Sequence, residues 1–257
     1  MFCKKLERSY ASYRMYYRTG PGHFRTAFTT IVDFERDYLG QKDVTLTSYG
    51  PFVSDKKTRT EIESSWLDDL RNRKTRIESI SAGYVGPELL SAISKQQQLK
   101  KLVIRFAEFT DMSVLGNLPN LEYLEIDQCP RNLDLKSLSQ CRSLKMLLVF
   151  NEAQMDYEPL GRLTQLEGLE FGAGLNPGFT KRITVENFRF LESLTNLKRF
   201  RTDVKPLDSD LSPLLALRNL EEGWYWGFRG QLPSKKAIAE ANPAFKKVYE
   251  VWQQQFG

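Results

Sequence analysis

The chain has 257 residues, is 41% hydrophobic and 27% charged, and carries 37 Lys and Arg against 32 Asp and Glu, a net charge of +5. No run approaches the roughly 18 apolar residues of a membrane span. The start, Met1-Phe2-Cys3-Lys4-Lys5-Leu6-Glu7-Arg8, has charges with no apolar stretch behind them, so no secretory signal is expected. Cys3, Cys129 and Cys141 form no CxxC pair and read as the reduced thiols of a cytoplasmic protein.

Residues 1–76 are the basic part, with 15 Lys and Arg against 10 Asp and Glu. Tyr13, Met15 and Tyr17 alternate, Gly20-Pro21-Gly22 turns, and Phe24, Thr26, Phe28 and Thr30 alternate again, the pattern of a β-hairpin. His23, the one histidine, sits beside that turn and reads as an exposed loop residue. Any His-based metal site or Ser-His-Asp triad would rest on it alone. Val44-Thr45-Leu46 predicts an irregular first strand, and Glu61 to Leu70 a helical turn. Arg14, Arg18 and Arg25 interleave with Tyr13, Tyr16, Tyr17 and Phe24, a composition able to stack on bases or meet an anionic surface.

From Ile77 onward one pattern recurs, starting at Ile77, Leu99, Leu121, Leu144, Leu166 and Leu197, with a partial copy at Leu220. The steps are 22, 22, 23, 22, 31 and 23 residues. Such self-similarity marks a solenoid. In Leu121-Glu-Tyr-Leu124-Glu-Ile126 apolar and polar residues alternate, as in a half-buried strand. Leu115, Leu118 and Leu121 stand three apart, as in a short 3₁₀ segment. Asp111, Asp134, Asp156 and Asp210 precede this second half in four copies. Recurrence at one register makes them caps of the free amides rather than catalytic or metal-binding groups.

The copy from Leu166 is about nine residues longer than its neighbours, the excess falling in the Gly- and Pro-containing stretch 172–184. Lys181 and Arg182 there suit an anionic group. Gly172-Ala-Gly174 lacks the Gly-Lys-Ser/Thr ending of a phosphate loop, which argues against a nucleotide site. In the tail, Ser234 is read as the start of a short turn. Asn242 is read as an N-cap with Pro243 at the first helical position, followed by Phe245, Val248, Tyr249, Trp252 and Phe256 on one face.

The segments 109–121 and 210–220 resemble bacterial leucine-rich repeats of the 22-residue, internalin-like kind, over about residues 77–230. The resemblance implies an α/β solenoid: a curved array with a concave parallel β-sheet and short helical or 3₁₀ turns on the convex side. Three blocks follow: an N-terminal cap over 1–76, repeats over 77–230, and a helical C-terminal cap over 231–257. The asparagine usual after the strand is missing, its places held by Ala107, Cys129, Glu152, Gly174 and Lys205.

Strand alternation places Arg105, Phe106, Tyr123, Glu125, Asp127, Met146, Leu148, Phe150, Arg199, Arg201, Trp224 and Trp226 on the concave face, with Tyr84, Lys101, Glu170 and Asp203 beside them. Phe106, Tyr123, Met146, Leu148 and Phe150 make an apolar patch rimmed by charge, the character of a protein-binding surface. The alternative is that a terminal segment folds over it. No Cys-His or Ser-His pair has a plausible geometry, and nothing calls for a cofactor. The expected function is non-enzymatic binding of a protein partner by the concave face. The second reading is nucleic-acid or anionic-surface binding through the basic N-terminal block.

Overall fold

The computed structural model of the protein describes residues 38–46, 56–72, 75–151, 153–173, 183–248 and 250. The predicted hairpin, His23, the interleaved arginines, Lys181, Arg182, Tyr249, Trp252 and Phe256 lie outside these residues.

Each repeat contributes one strand to a parallel sheet. β1 (Asp43–Thr45), β2 (Ser79–Val85), β3 (Lys101–Ala107), β4 (Tyr123–Asp127), β5 (Met146–Phe150), β6 (Gly168–Gly172), β8 (Arg199–Thr202) and β10 (Glu222–Tyr225) pair in that order. The lengthened repeat adds the two-residue strand β7 (Thr184–Val185), which pairs with β9 (Lys205–Pro206) off the main sheet. The expected strand at Val44 is β1, paired with β2 through Val44 and Ile80.

Register stacks like on like. Val44, Ile80, Leu102, Leu124, Leu147, Leu169 and Phe200 form one row pointing into the coil. The row ends at Gly223 of β10, where a side chain would meet the ring of Phe245. Behind the row, 3₁₀ turns at Ser113–Asn117, Leu135–Gln140, Glu158–Arg162, Arg189–Ser193 and Ser212–Ala216 bury Leu115, Leu138, Leu160, Leu191 and Leu214. No single coil encloses its leucines; only stacking removes them from water. Strands stack about 4.8 Å apart, closer than helical turns pack, so the sheet takes the inner side of the curve.

Polar side chains close the backbone at each step. Asp111, Asp134, Asp156 and Asp210 each accept from the amide two residues on, at 2.8 to 3.0 Å, and Asn187 does the same in the lengthened repeat. Asn120, Gln165, Asn196 and Asn219 donate to the carbonyls of Gln97, Cys141, Thr164 and Thr195 in the preceding coil, at 2.8 to 3.1 Å. After β5 the Asn151 amide donates to the Cys129 carbonyl at 2.8 Å while its oxygen accepts from Ala153. Asn151, one residue before the expected Glu152, thus fills the post-strand position. The left-handed residues Tyr84, Phe106 and Gln128 follow the last paired concave residues of β2, β3 and β4, and β5 has no counterpart.

The residues just ahead of the strands alternate in charge: Lys42, Glu78, Lys100, Glu122, Lys145, Glu167, Lys198 and Glu221. Glu78 meets both Lys42 and Lys100, at 2.6 and 2.8 Å, and Lys145–Glu122 and Lys198–Glu167 pair at 3.2 and 2.7 Å.

Helices stand at both ends of the described repeats. α1 (Lys56–Asn72) buries Trp66 and Leu70 over the first coils, longer than the helical turn expected at 61–70, and α2 (Pro87–Ile93) buries Leu89, Leu90, Ala92 and Ile93. α3 (Lys235–Ala241) starts at Ser234, whose hydroxyl accepts from Ala237, and Asn242 caps the next turn by accepting from Ala244. Phe245 and Val248 of that turn are buried.

Candidate functional site

The sheet face opposite the turns is built from three rows of side chains. The first runs Lys101, Tyr123, Met146, Gly168, Arg199, Glu222. The second runs Thr45, Ser81, Val103, Glu125, Leu148, Glu170, Arg201, Trp224. The third runs Gly83, Arg105, Asp127, Phe150, Gly172. All twelve residues singled out in the sequence lie on this face or at its edge. Phe106 stands outside the rows at a left-handed position (φ 55), its ring stacked on Tyr84 at 4.8 Å. Trp226 follows the last strand.

Charges on the face are joined across strands. Arg105 Nη1 lies 2.6 Å from Glu125 Oε1 and donates to Asp127 Oδ2 at 2.7 Å. The Tyr123 hydroxyl donates to Glu125 Oε2 at 2.9 Å, and Lys101 Nζ sits over the Tyr123 ring at 5.1 Å. Burial holds the Lys101 ammonium below its usual range. Arg201 pairs with Glu170 at 3.3 Å and lays its guanidinium over the Trp224 ring at 4.4 Å. Trp224 meets Trp226 edge to face at 6.0 Å.

Burial divides the face. Leu148 is 0% exposed, Glu125 1%, Phe150 2%, Arg201 6% and Asp127 8%. Arg105, Phe106, Tyr123, Met146 and Trp224 are half-buried, whereas Arg199 is exposed and Trp226 is 49% exposed. The middle of the apolar patch is therefore buried, and the more exposed part lies at the β8–β10 end. Val103, at 1%, belongs to the buried part and is missing from the set read in the sequence, because a valine in a strand looks like any core residue.

Asp203, beyond β8, accepts from the Ala173 amide at 2.9 Å. Burial raises its carboxyl to about 6 against the pull of that hydrogen bond and of Arg201. The described thiols are poor nucleophiles: burial pushes Cys129 up to about 12 and Cys141 to about 11, so both stay protonated at neutral pH. Among the described residues no group of three or more His, Cys, Asp or Glu is placed to hold a metal ion. Nor is any helix there long and apolar enough to cross a membrane.

Repeats of 22 or 23 residues, one of them lengthened to 31, each supplying one strand of a parallel sheet and a short α-helical or 3₁₀ turn, decide the architecture. The fold is a leucine-rich-repeat solenoid. Its structural neighbours are internalins and other leucine-rich-repeat proteins. An internalin F of Listeria monocytogenes shares 21% identity over 73% of this chain and 48% of its own, with a TM-score of 0.47. A leucine-rich-repeat protein of Leptospira interrogans shares 17% over 66% and 39%, with a TM-score of 0.40. The Arabidopsis receptor kinase HAESA, solved with a peptide hormone and a co-receptor, shares 18% over 56% and 25%, with a TM-score of 0.36. The chain spans about half the length of the internalin F chain. No protein-family model and no curated protein matches the sequence.

Proposed function

We propose that the protein is a non-enzymatic binding module that takes a protein partner on the concave sheet face. One observation carries this reading: the face holds desolvated ion pairs and apolar side chains in register over adjacent strands. Leu148 and Phe150 sit between the Arg105–Glu125 and Arg201–Glu170 pairs, and all of these but Arg105 are buried. A face built only to be wet gains nothing from burying carboxylates, which is costly without partners. Aromatic and Arg side chains grouped around an apolar centre are what protein interfaces use. The open end, with Arg199, Trp224 and Trp226, is where a partner first makes contact.

The test is recovery of partners from native lysate on immobilised protein, with Arg199→Glu, Trp226→Ala as the face variant and Arg162→Glu, on an exposed turn position, as control. A stoichiometric protein held by wild type and control but lost by the face variant supports the reading. Equal recovery by all three removes the concave face as the site.

A further inference from the structure

The stripe of charge from Lys42 to Glu221 changes sign at every step over eight coils. Backbone hydrogen bonds fix it as one ladder. From Glu78 onward, the amide of each member donates to the carbonyl of the member before it, at 2.7 to 2.9 Å. The lengthened repeat does not break the ladder, since the Lys198 amide donates to the Glu167 carbonyl at 2.8 Å. Pairing along the chain explains why neighbours are unlike. It leaves the outer side of the stripe facing water: Lys100, Glu122, Lys145 and Lys198 are about half exposed at the side chain, and Lys42 more so.

Spacing and sign select what this surface fits. Strands about 4.8 Å apart set one charge per step, roughly 34 Å over seven steps. A nucleic acid or an anionic membrane offers one sign of charge and meets repulsion at every second position. An α-helix repeats about every 5.4 Å and falls roughly 4 Å out of step over that length, so its charges end against like charges. One face of an extended strand repeats about every 6.7 Å and loses step sooner. Another stack of strands keeps step throughout, and the stack that carries this order of charges is a second copy of the chain.

Two-fold symmetry makes the stripe its own complement. An axis through the middle of the arc, between Glu122 and Lys145, reverses one copy and lays its rim on the other. Lys42 then stands opposite Glu221, Glu78 opposite Lys198, Lys100 opposite Glu167, and Glu122 opposite Lys145. Every contact is unlike because the number of charges is even. A slip of one coil sets like against like, so the same order fixes the register of an isologous contact.

We infer that this rim joins two copies of the protein in a two-fold dimer, their charge stripes antiparallel. The dimer goes beyond the proposed binding role, and it leaves both concave faces open because the stripe lies ahead of the strands. Exposed ion pairs are individually weak and are screened by salt, so the dimer belongs to low ionic strength and high protein concentration.

The test needs no binding partner, so its failure is separate from failure of the binding role. Sedimentation velocity of the full chain over a concentration series reads the association at low and at high salt. A dimer at low salt that dissociates at high salt is the expected result. Glu122→Lys sets Lys against Lys across the axis, and Lys145→Glu sets Glu against Glu. Each variant alone should sediment as a monomer. An equal mixture of the two should recover the dimer, because every contact across the axis is again unlike. A wild type that is monomeric throughout, a dimer that salt or either reversal leaves intact, or a mixture that stays monomeric overturns the inference. Circular dichroism melts first establish that both variants fold. Should either be unfolded, Glu122→Gln and Lys145→Gln take their place: a dimer several-fold weaker than wild type upholds the inference, and an unchanged dimer overturns it.

Discussion

Arg105 sets a single guanidinium nitrogen 2.6 Å from Glu125 and 2.7 Å from Asp127, two carboxylates that point to the same face of β4. Both acids are buried, so this cation, with Lys101 also acting on Glu125, offsets like charges in a place where water does little screening. Arg105→Leu removes it and leaves the acids facing each other. The expected loss is about 3–5 kcal/mol in urea unfolding, the usual result of breaking a buried ion pair from one side. Arg105→Leu combined with Glu125→Leu and Asp127→Asn recovers most of that loss, because no uncompensated charge remains. A triple variant as unstable as the single one shows that packing of the Arg105 stem, not charge, is what matters.

Coil-to-coil stitching by amide side chains yields a second expectation. Asn196 and Asn219 each donate to the carbonyl of the coil before, at 2.9 and 2.8 Å. Replacing either by Ala leaves that carbonyl to water, at a cost of about 1 kcal/mol, the net value of an ordinary hydrogen bond. The same truncation at Gln98, whose amide donates to Thr75 at the N-terminal end, costs a similar amount. Chemical denaturation of the three variants checks it; unequal losses would mean that the coils differ in how far water reaches them.

Much of this architecture is legible in the sequence, because a repeat prints the same physics many times. One aspartate before a leucine says little, but four at one register identify a cap, and the same comparison extended to amides finds Asn187. The alternating stripe from Lys42 to Glu221 is absent from the sequence reading, although it occupies one position per repeat. What the sequence hides is the state of the concave face. Alternation shows that Leu148 points away from the core, and nothing in the strand pattern says that it is nonetheless buried. Asn151 was misplaced by one residue for a related reason: the left-handed residue after β2, β3 and β4 is lacking after β5, and no local signal marks that loss.

The charge stripe makes acid the condition in which the N-terminal coils loosen. Hydrogen bonds from Lys100 and then Lys42 hold the Glu78 carboxyl down to about 2, against an ordinary 4.5. A depressed carboxyl adds stability above its unfolded value, and that contribution is lost as pH falls from about 4.5 through 2. Glu78→Gln therefore melts lower than wild type at neutral pH and converges with it near pH 2. Thermal melts across that range read the convergence. High salt shrinks the difference at neutral pH, since both lysines are exposed to solvent and Glu78 is only half-buried.

Asp203 runs the other way. Burial lifts its carboxyl to about 6 from 3.8, so the folded protein binds this proton more tightly than the unfolded chain. The contribution is fully present below about pH 4 and is lost as pH rises through 6, where the native state must hold a desolvated anion. Asp203→Asn keeps an oxygen to accept from Ala173 and has no charge to bury. Above pH 7 the variant should exceed wild type by up to about 2–3 kcal/mol, a tenfold difference in proton affinity being worth about 1.4 kcal/mol. Near pH 4 the two should be alike. Urea melts at pH 4 and 7.5 decide it, through the difference between the proteins rather than the slope of either. A variant less stable at both values would mean that the carboxylate is held by groups around it more strongly than burial opposes it.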